Sequence, residues 1–189
     1  MIIQDNDPYT EPSFSLRNRF ARLLWSVVCI LFFRFTPRPM HGWRNMVLRQ
    51  FGAQIGQHVH IHGNVKIWAP WNLCVGDFVG IGDAVNLYCM DKILIGDYAV
   101  ISQGAHLCAG GHDFNRANFQ LITAPILIGA RAWICADAFV GMGVTIPEGV
   151  VLGARAMVGK SIVESWTVWG GVPAKKIGTR DRQQVLGSK

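Results

Sequence analysis

Residues 75–107 read 75-VGDFVGIGDAVNLYCMDKILIGDYAVISQGAHL-107, and a large aliphatic residue returns in this stretch every six positions. Val75, Ile81 and Leu87 start three hexapeptides, two further residues follow the third, and Ile95 starts the next three. The period extends in both directions, so that fifteen hexapeptides begin with an aliphatic residue: Ile55, Ile61, Ile67, Val75, Ile81, Leu87, Ile95, Ile101, Leu107, Ile128, Ile134, Val140, Ile146, Leu152 and Val158. Val or Ala mostly stands four positions later, and Gly often directly follows the aliphatic residue. This spacing suits short strands joined by tight corners.

The breaks in the period indicate how the strands stack. The register slips by two residues after 72, by two after 92 and by fifteen after 112, each time after a multiple of three hexapeptides. One coil is therefore three hexapeptides, and the coils are 55–72, 75–92, 95–112, 128–145 and 146–163. We expect an all-β fold, a parallel β-solenoid of about five coils shaped as a triangular prism, because stacked coils bury a continuous aliphatic column. The insertion 113–127 is an extruded loop at one corner, with His112 at its foot, and loops of this length are usually functional.

Outside the repeat the chain changes character. Residues 1–13 are polar and are predicted to be a flexible N-terminus. Residues 14–52 are predicted to be helical, and their apolar run at 23–33 is shorter than the about twenty residues that span a bilayer. This segment either packs on the rest of the protein or lies in a membrane interface through residues 20–35. The solenoid domain covers 55–177, and residues 178–189 are a polar C-terminal tail.

Composition narrows the classes of partner. The 189 residues carry a formal net charge of +6, a mild bias that favours phosphates or an anionic membrane surface. No run of Lys and Arg interleaved with aromatic residues is present, which argues against a nucleic-acid partner. The five cysteines are scattered without CxxC spacing, which is typical of a reducing compartment. No cleavable signal is evident, and we expect a cytoplasmic protein, either free or peripheral to the inner membrane.

Four stretches carry a resemblance to a known family: 70-PWNLCVGD-77, 101-ISQGAHLCAGGHDF-114, 131-RAWICADAFV-140 and 170-GGVPAKKI-177. With them the chain resembles the left-handed β-helix (hexapeptide-repeat) acyltransferases. Within this family it is similar to the galactoside, maltose and nodulation O-acetyltransferases, and more closely to the acetyltransferases of colanic-acid and related exopolysaccharide gene sets. The resemblance covers most of residues 20–177. It implies a left-handed winding and a homotrimer with active sites between subunits.

The activity that the resemblance implies is transfer of acetyl from acetyl-CoA to a sugar or lipid-linked oligosaccharide hydroxyl, without a metal. An alcohol is a poor nucleophile unless its proton is removed as it attacks, and histidine can do this near neutral pH. His112 matches the family's catalytic histidine. Its other ring nitrogen must be held by an acceptor, for which Asp113 and a backbone carbonyl are both candidates.

The resemblance also assigns binding residues. It places Trp133, Ala136, Ala154 and Lys160 near coenzyme A, and Lys175 and Lys176 follow the GVPA turn, where they would meet phosphates. Cys135 and Ala136 stand where relatives often have a hydroxyl residue. Acceptor contacts are expected at Tyr88 and Cys89, although Asn is expected in place of Cys89. On the loop, Phe114, Arg116 and Phe119 either cover the acceptor or contact a neighbouring subunit.

Two other functions remain open from the residues. His58, His60 and His62 alternate in the first coil, and His106 and His112 are six residues apart. These histidines suggest a zinc enzyme of the β-helix carbonic-anhydrase type, although their spacing is poor for one chain. The alternative is a non-catalytic trimeric scaffold attached to a membrane through the N-terminal helix.

Overall fold

The computed structural model describes residues 8–187, and its centre is a parallel β-helix with three faces. The first face consists of β1 (Gln54–Ile55), β4 (Leu73–Val75), β7 (Ile93–Ile95), β12 (Ile126–Ile128) and β15 (Thr145–Ile146). The second consists of β2 (His60–Ile61), β5 (Gly80–Ile81), β8 (Val100–Ile101), β13 (Trp133–Ile134), β16 (Val151–Leu152), β18 (Thr167–Gly170) and β19 (Lys175–Thr179). The third consists of β3 (Lys66–Ile67), β6 (Asn86–Tyr88), β9 (His106–Cys108), β14 (Phe139–Val140) and β17 (Met157–Val158). Apart from β19, which folds back antiparallel on β18, each face has one strand per turn, which gives five complete turns and part of a sixth. The predicted β-solenoid is confirmed.

The core follows from the period of six. All fifteen aliphatic residues that begin a hexapeptide are buried, and so is the Val or Ala four positions after most of them. The corner between two faces is formed at the fourth residue of a hexapeptide, which has a positive φ at Phe78 (58°) and Tyr98 (58°). Glycine at the second position serves a different need. A Cβ on Gly96 would lie 2.6 Å from the backbone nitrogen of Ala130 in the next turn, so only glycine allows the turns to approach.

All three register slips fall at the corner between the third and first faces, as predicted. At the first slip this corner holds a short 3-10 helix, Pro70–Asn72. At the third, the chain departs earlier than expected. Gly110–His112 forms β10 and pairs antiparallel with β11 (Leu121–Thr123), so a hairpin replaces the second half of the hexapeptide 107–112, whose first residue stays in the core. The chain also returns earlier, because Ile126 already pairs with Ile93. The excursion is a stiffened β-hairpin with its tip at 113–120.

The N-terminal segment covers the open end of the β-helix. Helix α1 (Leu16–Val28) continues into a π-helix (Cys29–Arg34), and α2 (His41–Gln50) packs on β1 and β2. Trp25 and Phe33 face inward and are buried with Leu48 of α2. The indole N–H of Trp25 donates to the carbonyl of Ile67 at 2.7 Å. Packing on the solenoid, one of the two predicted arrangements, therefore applies to one side of this segment. Between residues 8 and 187 no helix is long and apolar enough to cross a membrane.

Arg44 of α2 joins the N-terminal segment to the solenoid and is completely buried. Its guanidinium donates to the carbonyls of Ile61 (2.6 Å), Pro37 (2.9 Å) and Arg38 (2.6 Å). It also donates to Thr36 Oγ1 at 2.8 Å, and its Nη2 lies 2.9 Å from Nδ1 of His41. Burial, with the nearby Arg44 charge, lowers the pKa of His41, whose Nδ1 also lies 3.0 Å from the Ile61 carbonyl. Among the described residues no carboxylate takes part, so backbone dipoles solvate the charge.

The C-terminal end is more ordered than the predicted polar tail. β18 lies beside β16 in the sixth turn, and β19 folds back antiparallel to β18. A short helix, α3 (Arg182–Gly187), follows. The predicted flexible N-terminus lies outside the described residues for positions 1–7, as do residues 188–189 of the tail.

We expect Trp25→Phe to lower the free energy of unfolding by about 1–2 kcal/mol, because the ring is kept while the buried carbonyl of Ile67 loses its donor. Urea denaturation would measure the change. The matched control is Trp43→Phe, which removes an indole donor from the carbonyl of Phe32 at an exposed site and should cost less. Equal losses in the two variants would contradict the role given to Trp25.

Candidate active site

The hairpin at the corner between the third and first faces presents His112 to solvent. Gly110, Gly111 and His112 of β10 pair with Thr123, Ile122 and Leu121 of β11. The N–H of Asp113 donates to the carbonyl of Gln120 at 2.8 Å, which extends the ladder past the histidine. Gly110 lies directly against Met90, so a side chain there would displace Met90. His112 therefore stands on a paired strand that is fixed to the prism.

The His112 ring is held on two sides by one residue. Its Nδ1 lies 2.7 Å from the carbonyl oxygen of Phe119, and the two rings stack with centroids 4.5 Å apart and planes 11° apart. Since a carbonyl only accepts, Nδ1 carries the proton and Nε2 keeps its lone pair. Within residues 8–187, Nε2 has no hydrogen-bond partner, and the side chain is exposed. Phe119 has a positive φ of 49°, a conformation that bulky residues rarely adopt. The imidazole is thus arranged to accept a proton from an external hydroxyl.

Asp113 does not occupy the position that the sequence suggested for it. Its Oδ1 accepts from the N–H of Asn115 at 3.1 Å, and its Oδ2 lies 3.5 Å from Nε of Arg116. Its carboxylate closes the hairpin tip, while a backbone carbonyl holds Nδ1 of His112. Of the two acceptors left open by the sequence, the structure has the carbonyl, because neighbouring residues in a strand point to opposite sides.

We therefore expect Asp113→Asn to lower kcat by less than about tenfold, since the hydrogen bond that fixes the histidine tautomer is unchanged. Steady-state kinetics with acetyl-CoA would measure it. A loss as large as that caused by removing His112 would show that the carboxylate itself orients or charges the imidazole.

The hairpin tip carries the other predicted acceptor residues. Phe114 is 81% exposed, and Arg116 is engaged by Asp113. A half-exposed Phe119 completes the tip by stacking on His112. Of these three residues, Phe119 is the one that contacts the imidazole, through its carbonyl on Nδ1 and its stacked ring.

The second coil places Tyr88 and Cys89 in different environments. Tyr88 lines the third face, with its ring edge-on to Trp68 and His106, and burial raises the pKa of its hydroxyl. Cys89 points inward and is 0% exposed, and its thiol contacts the backbone of Ala69 at 3.2 Å. Burial raises the pKa of this thiol to about 11. The prediction that Cys89 contacts the acceptor is wrong for this reason, while Tyr88 remains accessible.

The residues predicted near coenzyme A form two groups. Trp133 on β13 is 45% exposed and donates from Nε1 to Ser102 Oγ at 2.9 Å. Ala136 and Ala154 lie in successive turns at the corner between the second and third faces, where Arg155 N–H donates to the Ala136 carbonyl. Lys160 instead lies at the hairpin corner, one turn below Met142. His112 therefore lies at the hairpin corner of the chain, and Trp133 on its second face.

The two lysines after the GVPA turn lie on β19 at the C-terminal edge of the second face. Lys176 forms an ion pair with Glu164 at 2.7 Å, which holds its ammonium group. Lys175 is exposed next to it. The structure does not bring either lysine to the hairpin of its own chain.

Two features of this region escape sequence reasoning. The Phe119 carbonyl is one, because every residue has a carbonyl and no side-chain pattern marks it. His106 is the other: on the third face it lies 3.2 Å from Asn86, in register with Lys66 two strands away. Burial, followed by the Lys66 charge, lowers the pKa of His106, so the ring is neutral near pH 7. The sequence signal for His106 is its six-residue distance from His112, which suggests a metal pair.

The alternating histidines of the first coil have structural partners. His60 stacks on His41 of α2 at 4.7 Å, and His62 contacts Asp83 at 2.8 Å. His58 stacks on Phe78 at 4.8 Å. Across residues 8–187, no three His, Cys, Asp or Glu side chains are grouped so that they could hold a metal ion. The zinc alternative thus has no ligand set within one chain.

Comparison with known proteins decides the family. No model of a known protein family matches the sequence. Over 161 residues the chain is 42% identical to an Escherichia coli strain K12 protein named "Putative colanic acid biosynthesis acetyltransferase WcaF", and the alignment covers 85% of this chain and 88% of the relative. The chain belongs to the WcaF family of acetyltransferases. The predicted resemblance and the predicted enzyme class are both confirmed by this membership.

Solved structures share the fold of this WcaF family member. A galactoside acetyltransferase in complex with coenzyme A superposes with a TM-score of 0.82 at 21% identity, covering 97% of this chain and 94% of that chain. The hexapeptide-repeat acetyltransferase VCA0836 of Vibrio cholerae, in complex with acetyl coenzyme A, gives a TM-score of 0.78 at 20% identity, covering 87% and 90%. These similarities show the fold, and the left-handed winding stays a prediction.

Proposed function

We propose that this protein transfers acetyl from acetyl-CoA to a sugar hydroxyl during exopolysaccharide biosynthesis. The observation that carries the proposal is the geometry of His112, with Nδ1 on the Phe119 carbonyl and Nε2 unpartnered and outward. The names of its relatives support the donor and the pathway class: WcaF for colanic acid biosynthesis, and two solved structures with coenzyme A or its acetyl ester. The acceptor is a sugar or a lipid-linked oligosaccharide.

The chemistry needs one base and one activated acyl group. Nε2 of His112 takes the hydroxyl proton as the sugar oxygen attacks the thioester carbonyl carbon. The new carbon–oxygen bond forms, the carbon–sulfur bond breaks as the tetrahedral intermediate collapses, and the proton passes to the departing thiolate of coenzyme A. The Phe119 carbonyl keeps the imidazole in the required tautomer through the cycle and stabilises the transient imidazolium.

The placement of the binding residues favours a homotrimer. His112 and Lys160 lie at the corner between the third and first faces, while Trp133 lies on the second face and Ala136 and Ala154 at the corner that follows it, so one chain alone does not form a cleft from both groups. Around a three-fold axis, the hairpin corner of one subunit would face the second face of the next. Coenzyme A would then lie between subunits, with the exposed ammonium group of Lys175 available to its phosphates and that of Lys176 paired with Glu164.

The location proposed for the enzyme is cytoplasmic, peripheral to the inner membrane. The outer side of residues 20–35 supports this, since Phe20, Leu23, Leu24, Val27 and Leu31 are exposed there at helical spacing. An amphipathic helix of this kind lies in an interface plane with its apolar side among acyl chains.

Thiol release from acetyl-CoA, measured with a panel of sugars and lipid-linked oligosaccharides, tests the proposed function. We expect release that depends on one class of acceptor. If no acceptor increases release and calorimetry detects no coenzyme A binding, the scaffold alternative replaces the enzyme. Bound coenzyme A without release would show that the true acceptor is absent from the panel, and the panel would then be extended to phosphorylated lipid-linked sugars.

A further inference from the structure

Apart from the His112 hairpin, a pocket lies between the N-terminal helical segment and the third face. Its volume is about 420 Å³, and its walls come from α1, the π-helix, β3 and β6. Three cations line it, Arg22, Arg34 and Lys66, together with the polar groups of Asn86 and Tyr88. No Asp or Glu is among its lining residues. The pocket therefore has the charge of an anion site and the hydrogen-bonding groups of a sugar site.

The cations of this pocket are held in different ways. Arg22 lies over the ring of Trp68 at 4.4 Å and donates to Asn18 at 3.0 Å, so its guanidinium is fixed in place. Arg34 and Lys66 are exposed, and within residues 8–187 neither has a carboxylate within ion-pair distance. Two unpaired cations beside one ordered guanidinium can bind a phosphate from several directions.

The charge of the whole N-terminal segment, residues 14–52, also favours an anionic ligand. Residues 14–52 contain seven arginines and neither Asp nor Glu. Two of the seven, Arg44 and Arg49, are engaged by backbone carbonyls of the solenoid, and the others remain at the surface or in the pocket. A surface of this sign attracts phosphate-bearing molecules.

The pocket adjoins the exposed apolar stripe of the same helix. Ile30 belongs to both, since it lines the pocket and is itself half exposed. Phe20, Leu24 and Leu31 continue the stripe on the outer side. A ligand with a phosphate in the pocket would therefore have its lipid chain beside this stripe and its polar part over Asn86 and Tyr88.

We propose that this pocket binds the phosphate or diphosphate of a lipid-linked sugar, and that the acceptor reaches the enzyme while still attached to its membrane lipid. This deepens the proposed function and rests on it for the identity of the acceptor. The binding itself is independent of catalysis and can be measured without turnover.

The test uses nanodiscs of phosphatidylcholine with and without a few mole per cent of a polyprenyl diphosphate. Binding of wild type is compared with Arg34→Gln/Lys66→Gln, and with the matched control Arg17→Gln/Arg19→Gln, which removes two exposed arginines of the same segment outside the pocket. We expect the diphosphate to strengthen binding of wild type, and the pocket variant to lose roughly 10- to 30-fold in affinity for diphosphate-containing discs. The control variant should lose less than about threefold.

Three results would overturn the proposal. Equal losses in the two double variants would show diffuse charge attraction without a pocket. If inorganic diphosphate binds as tightly as the lipid probe, the pocket does not recognise the lipid part of the ligand. If discs with and without the probe bind equally well, the pocket does not recognise the diphosphate. Thiol release with a soluble sugar acceptor, run in parallel on wild type, reports on the acetyltransferase separately, so failure of one proposal is distinguishable from failure of the other.

Discussion

Replacing His112 with alanine should lower kcat by at least about two orders of magnitude while the protein stays folded, because general-base catalysis contributes about 10²–10⁴-fold. The side chain is exposed, and its only hydrogen bond within residues 8–187 is from Nδ1 to the Phe119 carbonyl. Its removal therefore takes away the proton acceptor at small cost to stability. Thiol release from acetyl-CoA with the best acceptor would measure the loss.

The control for this variant is His58→Ala. His58 is also exposed and also stacks on a phenylalanine, Phe78, but it lies at a corner far from the hairpin in sequence and in a different turn. We expect its kcat to remain within about twofold of wild type, since no contact of His58 involves the site. If His112→Ala still releases thiol at the wild-type rate, another group is the base, and His106 would be the next candidate to replace.

Replacing Arg44 with methionine should lower the free energy of unfolding by about 2–4 kcal/mol, because it breaks a buried network in which each hydrogen bond to a charged group contributes about 1.5–3 kcal/mol. Methionine fills much of the space but donates nothing. The buried carbonyl of Ile61 and the part-buried carbonyls of Pro37 and Arg38 would lose Arg44 as a donor together, although the Pro37 carbonyl keeps the N–H of Met40. Each carbonyl left unpaired costs about 1–3 kcal/mol. Urea denaturation followed by tryptophan fluorescence would measure the change.

Arg49→Met is the matched control, because Arg49 also donates to solenoid carbonyls, of Ile55 and Gly56, but from an exposed position where water can replace it. Its cost should be below about 1 kcal/mol. Similar losses for the two variants, or a loss below 1 kcal/mol for Arg44→Met, would contradict the view that Arg44 fastens the N-terminal segment to the solenoid.

Much of the fold could be predicted because its signal is local and repeated. The aliphatic residue that begins each hexapeptide predicts which side chain points into the core, and all fifteen of these residues are buried. The corner that carries the insertions could be located from the slips alone. The irregular ends of the first three coils also left a trace: the fifth position is Trp71, Asp91 and Gly111 in the hexapeptides before the slips, whereas it is Val or Ala in eleven of the other twelve hexapeptides and Ile162 in the last. Those residues cannot fill the small inward site, so the chain leaves its regular path there.

What could not be predicted depends on pairing between distant positions. The β10–β11 hairpin joins residues whose spacing has no strand period, and two of its three residues on one side are glycines. The Phe119 carbonyl reaches His112 only through that pairing. Cys89 is buried because the corner at Ala69 covers it, which no residue near Cys89 indicates. At the C-terminal end, β19 returns against β18 by tertiary contact and not by repeat.

The central claim is that acetyl moves from coenzyme A to a sugar hydroxyl at the His112 hairpin. The most direct test is to incubate the enzyme with acetyl-CoA labelled in its acetyl group and a lipid-linked oligosaccharide acceptor, and to locate the label. The account predicts an alkali-labile acetyl ester on one sugar, formed in proportion to thiol release by wild type and absent with His112→Ala. Label recovered only as free acetate or on the protein, with the sugar unlabelled, would contradict it.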